Sequence, residues 1–259
     1  MRPAVRCFGL AAPLLLAASV AHGIEQGEPR SGIAFASPET RAMQADDTAN
    51  PGLFWVLDGE QLWAKREGAA QKSCGDCHGA ASASMKGIAA RYPAFDDKTG
   101  QAVDLTGRIN LCRTRHQQAT PLPHEGKEML ALTAFVGFQS RGLPMAPPAD
   151  PRLAPARAQG EALFTQRMGQ LDLSCANCHE ANWQGRLGGS PITQGQSNAY
   201  PLYRLEWQGL GSLQRRMRAC MVGVRAEPFD YGAPEFVALE AFLATRAKGL
   251  PVETPGVRP

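Results

Sequence analysis

The N-terminus of the chain joins a basic start to a continuous apolar run. Arg2 and Arg6 come first, apolar residues dominate from Cys7 to Ala18, and small residues follow. This order of charge, apolar run and small-residue cleavage site is typical of a secretory signal peptide. A membrane anchor is the alternative, but the run is shorter than the ~20 residues that cross a bilayer, and Pro13 interrupts it. The pattern therefore predicts a signal peptide over residues 1–23 and an exported protein.

Two later segments carry apolar residues at the spacing of one helix face. Leu132 and Phe135 are three residues apart, and so are Leu239 and Phe242. This spacing predicts two helices whose apolar sides face a core. Residues 24–50 show no such period, and we expect them to form a loop that wraps over a neighbouring surface.

The segments around these helices occur twice. Gly59–Trp63 matches Gly160–Phe164 at an offset of 101 residues, which holds without a gap as far as His78. Further on, Leu105–Cys112 matches Leu213–Cys220, and both copies place an arginine four residues before a cysteine. Such self-similarity predicts a duplicated, mainly helical unit.

The overall charge narrows the classes of function. The 259 residues include 27 basic and 24 acidic ones, and loss of Arg2 and Arg6 with the signal peptide leaves 25 basic residues. A nearly neutral chain without a long basic run is not expected to bind nucleic acid. Beyond the signal peptide, no segment is long and apolar enough to predict a membrane span.

Two motifs, Cys74–His78 and Cys175–His179, read C-x-x-C-H. In such a motif two thiols add to the vinyl groups of haem, and the adjacent histidine ligates the iron. The sequence therefore predicts two covalent haem c groups with His78 and His179 as axial ligands. The predicted thioether residues are Cys74, Cys77, Cys175 and Cys178. A zinc site built from both C-x-x-C pairs is the alternative, which the duplicated motifs in an exported chain disfavour.

These features predict a mainly α fold with two tandem cytochrome c-like domains, related by internal duplication, and long loops around each haem. The predicted divisions are a signal peptide (1–23), an N-terminal extension (24–50), domain 1 (51–146), a Pro-rich linker (147–155) and domain 2 (156–259), which would hold the active-site haem.

The sixth ligand of each iron is less well determined by the sequence. Candidates other than cysteine are His116, His124, Met85 and Met145 in the first copy, and Met168, Met217 and Met221 in the second. Only Cys112 and Cys220 occupy matching positions in both copies, and a duplicated domain is expected to reuse one ligand geometry. A disulfide between these two cysteines is the alternative, and it requires Cα atoms within ~7 Å of each other.

Three arginines, Arg215, Arg216 and Arg218, precede Cys220 closely. Their positive charge would favour the thiolate form of that cysteine. Guanidinium groups also match the geometry of an oxyanion such as a sulfur oxoacid. A solvated helix face is the alternative interpretation of such a cluster.

The two C-x-x-C-H motifs, the paired Arg-x-x-x-Cys segments and the sequence Cys220–Ala226 resemble the SoxA subunit of the SoxAX cytochromes. The resemblance covers nearly the whole mature chain and is most specific from Arg216 to Ala226. Because the motif at Cys74–His78 is complete, the chain resembles the dihaem type of SoxA.

The resemblance implies an L-cysteine S-thiosulfotransferase in the bacterial periplasm. Such an enzyme couples thiosulfate oxidatively to a cysteine of SoxY, within the carrier SoxYZ. Two electrons pass through the haems to the monohaem partner subunit SoxX and then to a soluble cytochrome c.

By the same resemblance, Cys220 is the catalytic residue, carried as a cysteine persulfide, and Arg216 binds the substrate. His78 and Cys112 would be axial on the first iron, and His179 and Cys220 on the second. A plain dihaem electron carrier or a dihaem peroxidase-like protein is the alternative function. A carrier needs two inert ligands and a peroxidase needs an open site, whereas the transferase needs a sulfur that can react.

Overall fold

The computed structural model describes Met1 and residues 27–259, so the predicted signal peptide lies, apart from Met1, outside the described residues. The N-terminal extension contains a 3₁₀ turn, Gly32–Phe35, and helix α1, Pro38–Ala45. Our prediction of a loop over residues 24–50 is therefore wrong for this helix. Ser37 supplies the reason, because its Oγ accepts a hydrogen bond from Thr40 N at 3.2 Å and Pro38 fits the first helical turn.

The first half of the chain is built mainly from helices. Its elements are α2 (Leu53–Ala64), α3 (Cys74–His78), α4 (Ala81–Ser84), a 3₁₀ turn (Ala89–Arg91), β1 (Ala94–Asp96), β2 (Gln101–Val103), α5 (Leu105–Cys112), a π-helical turn (Arg113–Gln117) and α6 (Lys127–Phe138).

The second half follows the same order with a longer loop after the motif helix. Its elements are a 3₁₀ turn (Pro151–Leu153), α7 (Ala154–Thr165), α8 (Cys175–His179), β3 (Arg186–Leu187), β4 (Ser190–Pro191), β5 (Leu202–Arg204), β6 (Gly209–Gly211), α9 (Leu213–Gly223), α10 (Pro234–Arg246) and β7 (Gly256–Arg258).

Each half is organised by one close helix crossing. Helix α2 packs on α6, and α7 packs on α10. A Cβ atom at Gly59 would lie 2.1 Å from the carbonyl O of Ala131, and one at Gly160 would lie 2.0 Å from that of Ala238. The glycine that recurs in the sequence repeat therefore allows the two backbones to touch in both halves.

Helix α6, which contains Leu132 and Phe135, is more deeply buried than the sequence predicts. All residues of α6 from Met129 to Gly137 are buried, so this helix has no solvent-facing side over that stretch. Besides α2, it contacts α5 and the turn Ala89–Arg91, and Gly137 lies against Thr254 near the C-terminus. The helix is therefore packed on several sides, whereas we predicted that only one apolar face would be buried.

The strands form three small sheets in the described part of the chain. β1 and β2 form an antiparallel hairpin with Asp96 opposite Gln101, and β5 and β6 form a second one with Arg204 opposite Gly209. Strand β7 extends the second hairpin in parallel with β5. Helix α1 packs on β7, where Gln44 Oε1 accepts a hydrogen bond from Val257 N at 2.9 Å, so the extension is held against the C-terminus.

The two halves meet at a buried polar contact. Gln214 of α9 donates from Nε2 to Asp104 Oδ2 at 3.1 Å and to Glu240 Oε1 at 3.0 Å. Burial raises the pKa of both Asp104 and Glu240. Among residues 27–259, no helix is long and apolar enough to cross a membrane.

Candidate functional site

Both C-x-x-C-H motifs form short capped helices. Ser73 Oγ accepts from Asp76 N at 3.0 Å, while Asp76 Oδ2 accepts from Ser73 N at 2.9 Å. In the second motif Ser174 and Asn177 form the same reciprocal pair. Such a capping box fixes the first helical turn. The two thiols of each motif, three residues apart, therefore lie on the same face of a preformed turn.

Each half brings one further cysteine close to its motif, Cys112 in the first half and Cys220 in the second, and these two are called the distal cysteines below. Burial and the neighbouring Cys112 raise the pKa of Cys74, and burial and Cys220 raise the pKa of Cys175 to about 11. No disulfide joins any of the six cysteines from Cys74 to Cys220. The alternative of a disulfide between Cys112 and Cys220 is therefore wrong, because each cysteine lies by its own C-x-x-C pair.

His179 is held in the orientation of a metal ligand. Its Nδ1 lies 2.7 Å from the carbonyl O of Thr193. A carbonyl only accepts, so Nδ1 carries the proton and Nε2 keeps its lone pair. Gly195, with a φ of +70°, passes so close that a Cβ there would lie 2.9 Å from His179 Cγ. Burial lowers the pKa of His179, which favours the neutral ring.

His78 has different surroundings. It is exposed, and its ring centroid lies 5.8 Å from that of Trp63, whose Nε1 donates to Gly79 O at 3.1 Å.

The loop after the second motif, which carries Thr193 and Gly195, belongs to a segment that is longer than its counterpart in the first half. The repeat offset grows from 101 to 108 beyond the motif, so the second half has seven additional residues there. The sequence analysis did not assign these two residues, although the change of offset marks their loop.

The residues around each motif fit a covalently attached haem. Cys175 packs against a buried apolar cluster that includes Phe164, Leu239 and Met221, and Cys74 packs against a second cluster that includes Trp63. An apolar wall, two adjacent thiols and an oriented imidazole are the groups that a c-type haem requires. In the described part of the chain, no cluster of three or more His, Cys, Asp and Glu side chains could hold a free metal ion, so the alternative zinc site is not formed.

The other candidates for the sixth position have varied surroundings. Met145 belongs to a separate buried cluster with Ala244, Met85 packs against the first core, and His116 is exposed. His124 lies against Gly232 of the second half. Met221 is buried in the helix packing and Met168 and Met217 border the same cluster, so Met217, on the helix of Cys220, is the methionine alternative there.

Only one of the three arginines of α9 shares a face with Cys220. Arg216 precedes it by four residues, which is one helical turn. The guanidinium of Arg215 lies 4.3 Å from the centre of the Trp207 ring. Arg218 donates to Phe229 O and lies 4.7 Å from the ring centre of Tyr231. Our prediction of a three-arginine cluster at Cys220 is therefore wrong, because aromatic partners hold Arg215 and Arg218.

The corresponding arginine of the first half is neutralised. Arg108 Nη1 donates to Asp96 Oδ1 at 2.7 Å, and Arg115 Nη2 donates to Asp96 Oδ2 at 2.8 Å. Asp96 is only 4% exposed, and its hydrogen bonds with the two arginines hold its pKa well below the usual range. Asp96 thus holds both arginines beside Cys112 in one buried ion-pair cluster.

A further arginine lies near Cys220 that the sequence analysis missed. Arg204, at the end of β5, is close enough to Arg216 and Cys220 for their charges to act on its ionisation. Burial and the charge of Arg216 lower its pKa. The signal was present in the sequence, because Tyr92-Pro93 and Tyr200-Pro201 extend the repeat upstream at the offset of 108.

The comparisons with known proteins are consistent with this geometry. The family model described as the SoxA/TsdA cytochrome c domain matches residues 58–145 and 159–252. The L-cysteine S-thiosulfotransferase subunit SoxA of Rhodovulum sulfidophilum is 38% identical, over 89% of this chain and 80% of that protein. The protein of the same name from Pseudaminobacter salicylatoxidans is 36% identical, over 95% and 86%. The crystal structure of SoxXA from P. pantotrophus superposes with a TM-score of 0.85 at 34% identity, over 88% of this chain and 86% of that chain.

Proposed function

Because this chain belongs to the family of SoxA/TsdA cytochrome c domains and is an L-cysteine S-thiosulfotransferase subunit of the SoxA type, we propose that it couples thiosulfate to a cysteine of SoxY in the SoxYZ carrier. It is a c-type cytochrome of thiosulfate oxidation. The proposed location is the periplasm, which the predicted signal peptide supports. The proposed partner is the monohaem subunit SoxX, which the likeness to SoxXA supports.

Each half holds one covalent haem in this proposal, as a tandem duplication of one cytochrome c-like domain (51–146 and 156–259, joined by the linker 147–155). His78 and Cys112 would be axial on the first iron, and His179 and Cys220 on the second. The thioether residues would be Cys74, Cys77, Cys175 and Cys178. The bound haems supply one-electron acceptors.

The observation that carries the proposal is the difference between the two Arg-x-x-x-Cys segments. Arg108 forms an ion pair with Asp96, whereas among the described residues no hydrogen bond or ion pair is found for the guanidinium group of Arg216. An unneutralised guanidinium one turn from a reactive sulfur can hold the anionic sulfonate end of thiosulfate. This supports domain 2 as the active domain, with Cys220, carried as a persulfide, as the catalytic residue.

The overall reaction balances as the loss of two electrons. The carrier thiol loses its proton, a bond forms between its sulfur and the terminal sulfur of thiosulfate, and the product is a cysteine S-thiosulfonate. The haems, when bound, would supply the path by which the two electrons reach SoxX and then a soluble cytochrome c. Arg216 binds and orients the dianion, and the apolar wall beside Cys175 limits access of water.

The test uses the purified complex of this chain with SoxX. With thiosulfate, SoxYZ and oxidised cytochrome c, we expect a thiosulfonate adduct on the carrier cysteine, measured by intact mass, with two cytochromes reduced per adduct. Two haems per chain should resist acid-acetone extraction, because thioethers are covalent. Cytochrome reduction without an adduct would instead support the plain electron carrier.

A further inference from the structure

Two corresponding positions beside the distal cysteines carry opposite charges. Asp96 ends β1 and Arg204 ends β5, and the two hairpins have the same register, since Ala94 pairs with Val103 and Leu202 with Gly211. Asp96 precedes Arg108 by the same twelve residues that separate Arg204 from Arg216. The same position of the repeat is therefore a negatively charged aspartate in the first half and a positively charged arginine in the second.

In the first half the acid forms a closed charge cluster. Asp96 accepts hydrogen bonds from both Arg108 and Arg115. The side chain of Asp96 is 4% exposed, and those of Arg108 and Arg115 are 26% and 22% exposed. The position that matches Arg115 in the second half is Gly223, at the end of α9. An additional anion beside Cys112 would have to displace a buried carboxylate from two guanidinium groups.

In the second half the matching positions, Arg204 and Arg216, are both arginines, and the charge of Arg216 acts on Arg204. Arg204 is 12% exposed, and its ion-pair partner is Glu206, which is 67% exposed, at 2.9 Å. Its guanidinium carbon lies 5.2 Å from the centre of the Trp207 ring, farther than that of Arg215 at 4.3 Å. The buried Nε of Arg204 has no hydrogen-bond partner. A largely buried guanidinium near a second, partly buried one, with a solvent-exposed counter-ion, is costly for a protein, and an anion bound to both offsets that cost.

We infer that Arg204 is a second substrate-binding residue, which together with Arg216 holds the sulfonate end of a divalent sulfur oxoanion beside Cys220. Asp96 excludes such an anion from the first half. This inference rests on the proposed function, since it adds a residue and a charge requirement to the same site. The planar fork of each guanidinium matches two oxygens of a sulfonate group, and two forks together select a dianion over a monoanion.

The test is calorimetric titration of the complex with SoxX, using sulfate as a dianion that cannot react and thiosulfate as the substrate. Arg204→Gln should weaken the binding of both anions about tenfold to hundredfold, since one charge-assisted contact is lost. In steady-state assays its KM for thiosulfate should rise more than its kcat falls. Arg204→Lys should restore part of the affinity, because it keeps the charge but not the fork.

Two further variants strengthen the test. Arg204→Asp recreates the charges of the first half, so it should weaken binding more than Arg204→Gln does. Glu206→Gln removes an exposed counter-ion and should tighten sulfate binding about twofold to fivefold. Arg152→Gln, which removes an exposed arginine before α7, is the matched control for net charge and should leave sulfate affinity unchanged.

The inference fails if Arg204→Gln, with both haems present, binds sulfate and thiosulfate as tightly as the unmodified protein. If Arg204→Gln does not fold, Glu206→Gln decides the question, and unchanged or weaker binding by it overturns the inference. If the proposed function is wrong but this inference is right, the result differs. Anion binding then depends on Arg204, but no adduct forms on the carrier cysteine. Adduct formation with an unchanged KM in Arg204→Gln would support the proposed function and refute this inference.

Discussion

Cys112 and Cys220 lie at matching helix positions but have different charged neighbours. Cys112 lies near a cluster in which Asp96 pairs with Arg108 and Arg115, whereas Arg216, one turn from Cys220, has no carboxylate partner among the described residues. A thiol that only ligates iron needs no positive charge beside it, whereas one that exchanges sulfur with an anion does. At the scale of single residues, the partner of each arginine thus distinguishes the two halves.

Replacement of Cys220 by methionine tests its role directly. Cys220→Met should keep both proposed haems, because the proposed attachment depends on Cys175, Cys178 and His179, and methionine can still ligate iron. It should abolish the thiosulfate adduct on the carrier, since a thioether cannot form a persulfide. Haem content and carrier mass are the measurements.

The matched control for that variant is Cys112→Met. It should change the spectrum of the first haem and cost much less activity. Equal loss of activity in the two variants, with haems retained, would contradict the assignment of domain 2 as the active domain.

Loss of Arg216 should be milder than loss of Cys220. Arg216→Ala removes one charged contact to the dianion, worth roughly 1.5–3 kcal/mol, which is about a tenfold to hundredfold fall in kcat/KM. Arg108→Ala is the matched control and should leave kcat/KM almost unchanged, because Arg108 is paired with Asp96. A larger effect of Arg108→Ala in steady-state kinetics would refute the asymmetry between the halves.

At the scale of elements, the two helix crossings explain why the repeat retains its glycine. Gly59 and Gly160 lie where a Cβ atom would be about 2 Å from a carbonyl oxygen of the facing helix. Each crossing also carries a ring pair, Trp63 with Phe135 at 5.8 Å and Phe164 with Phe242 at 5.3 Å between centroids. The crossing thereby sets the position of the segment that leads to each motif helix.

We therefore expect Gly160→Ala to destabilise the protein. The added methyl group must separate α7 from α10, an overpacking that costs about 1–3 kcal/mol or more. The measurement is the free energy of unfolding in guanidinium chloride with the haems attached. Gly189→Ala is the control, since nothing lies within 4 Å of a Cβ atom there. Equal stability of Gly160→Ala and the unmodified protein would show that the crossing is looser than described.

At the scale of the whole molecule, the halves are joined by Gln214 between two buried carboxyl groups. Burial raises the pKa of Glu240 well above its ordinary value of 4.5, and the neighbouring Asp104 adds to this rise. The charge of His124 lowers the pKa of Asp104 and so opposes the effect of burial on that group. Because Asp104 caps α5 and Gln214 belongs to α9, this contact links the two helices that carry the distal cysteines.

The contact makes stability depend on pH with a definite sign. A carboxyl group whose pKa is raised by folding contributes its full stability below the ordinary pKa and loses it as the pH rises through the folded value. Glu240→Gln should therefore match the unmodified protein near pH 4 and be the more stable of the two at neutral pH, measured by denaturant unfolding across this range. Glu161→Gln, at an exposed position of α7, should show no such crossover. A stability difference independent of pH would contradict a raised pKa at Glu240.

Several properties of this protein follow from local sequence. The C-x-x-C-H spacing specifies covalent haem chemistry because all its groups lie within five residues, and the SoxA/TsdA family match agrees with it. The matching segments also predicted the shared order of helices, because helix signals are read within a few turns of the chain. Helix α1 was missed, since a cap at Ser37 is a weaker signal than an apolar period.

The properties that depend on distant pairs required the folded chain. Aromatic partners hold Arg215 and Arg218, so that Arg216 is the arginine of this helix that shares a face with Cys220. Cys112 and Cys220 are not joined, because each lies by its own motif. The charge difference between Asp96 and Arg204 acquires meaning only when the hairpins place both beside an Arg-x-x-x-Cys helix. Spacing along the chain determines which residues share a helix turn, but side-chain competition between remote segments determines which charges remain uncompensated.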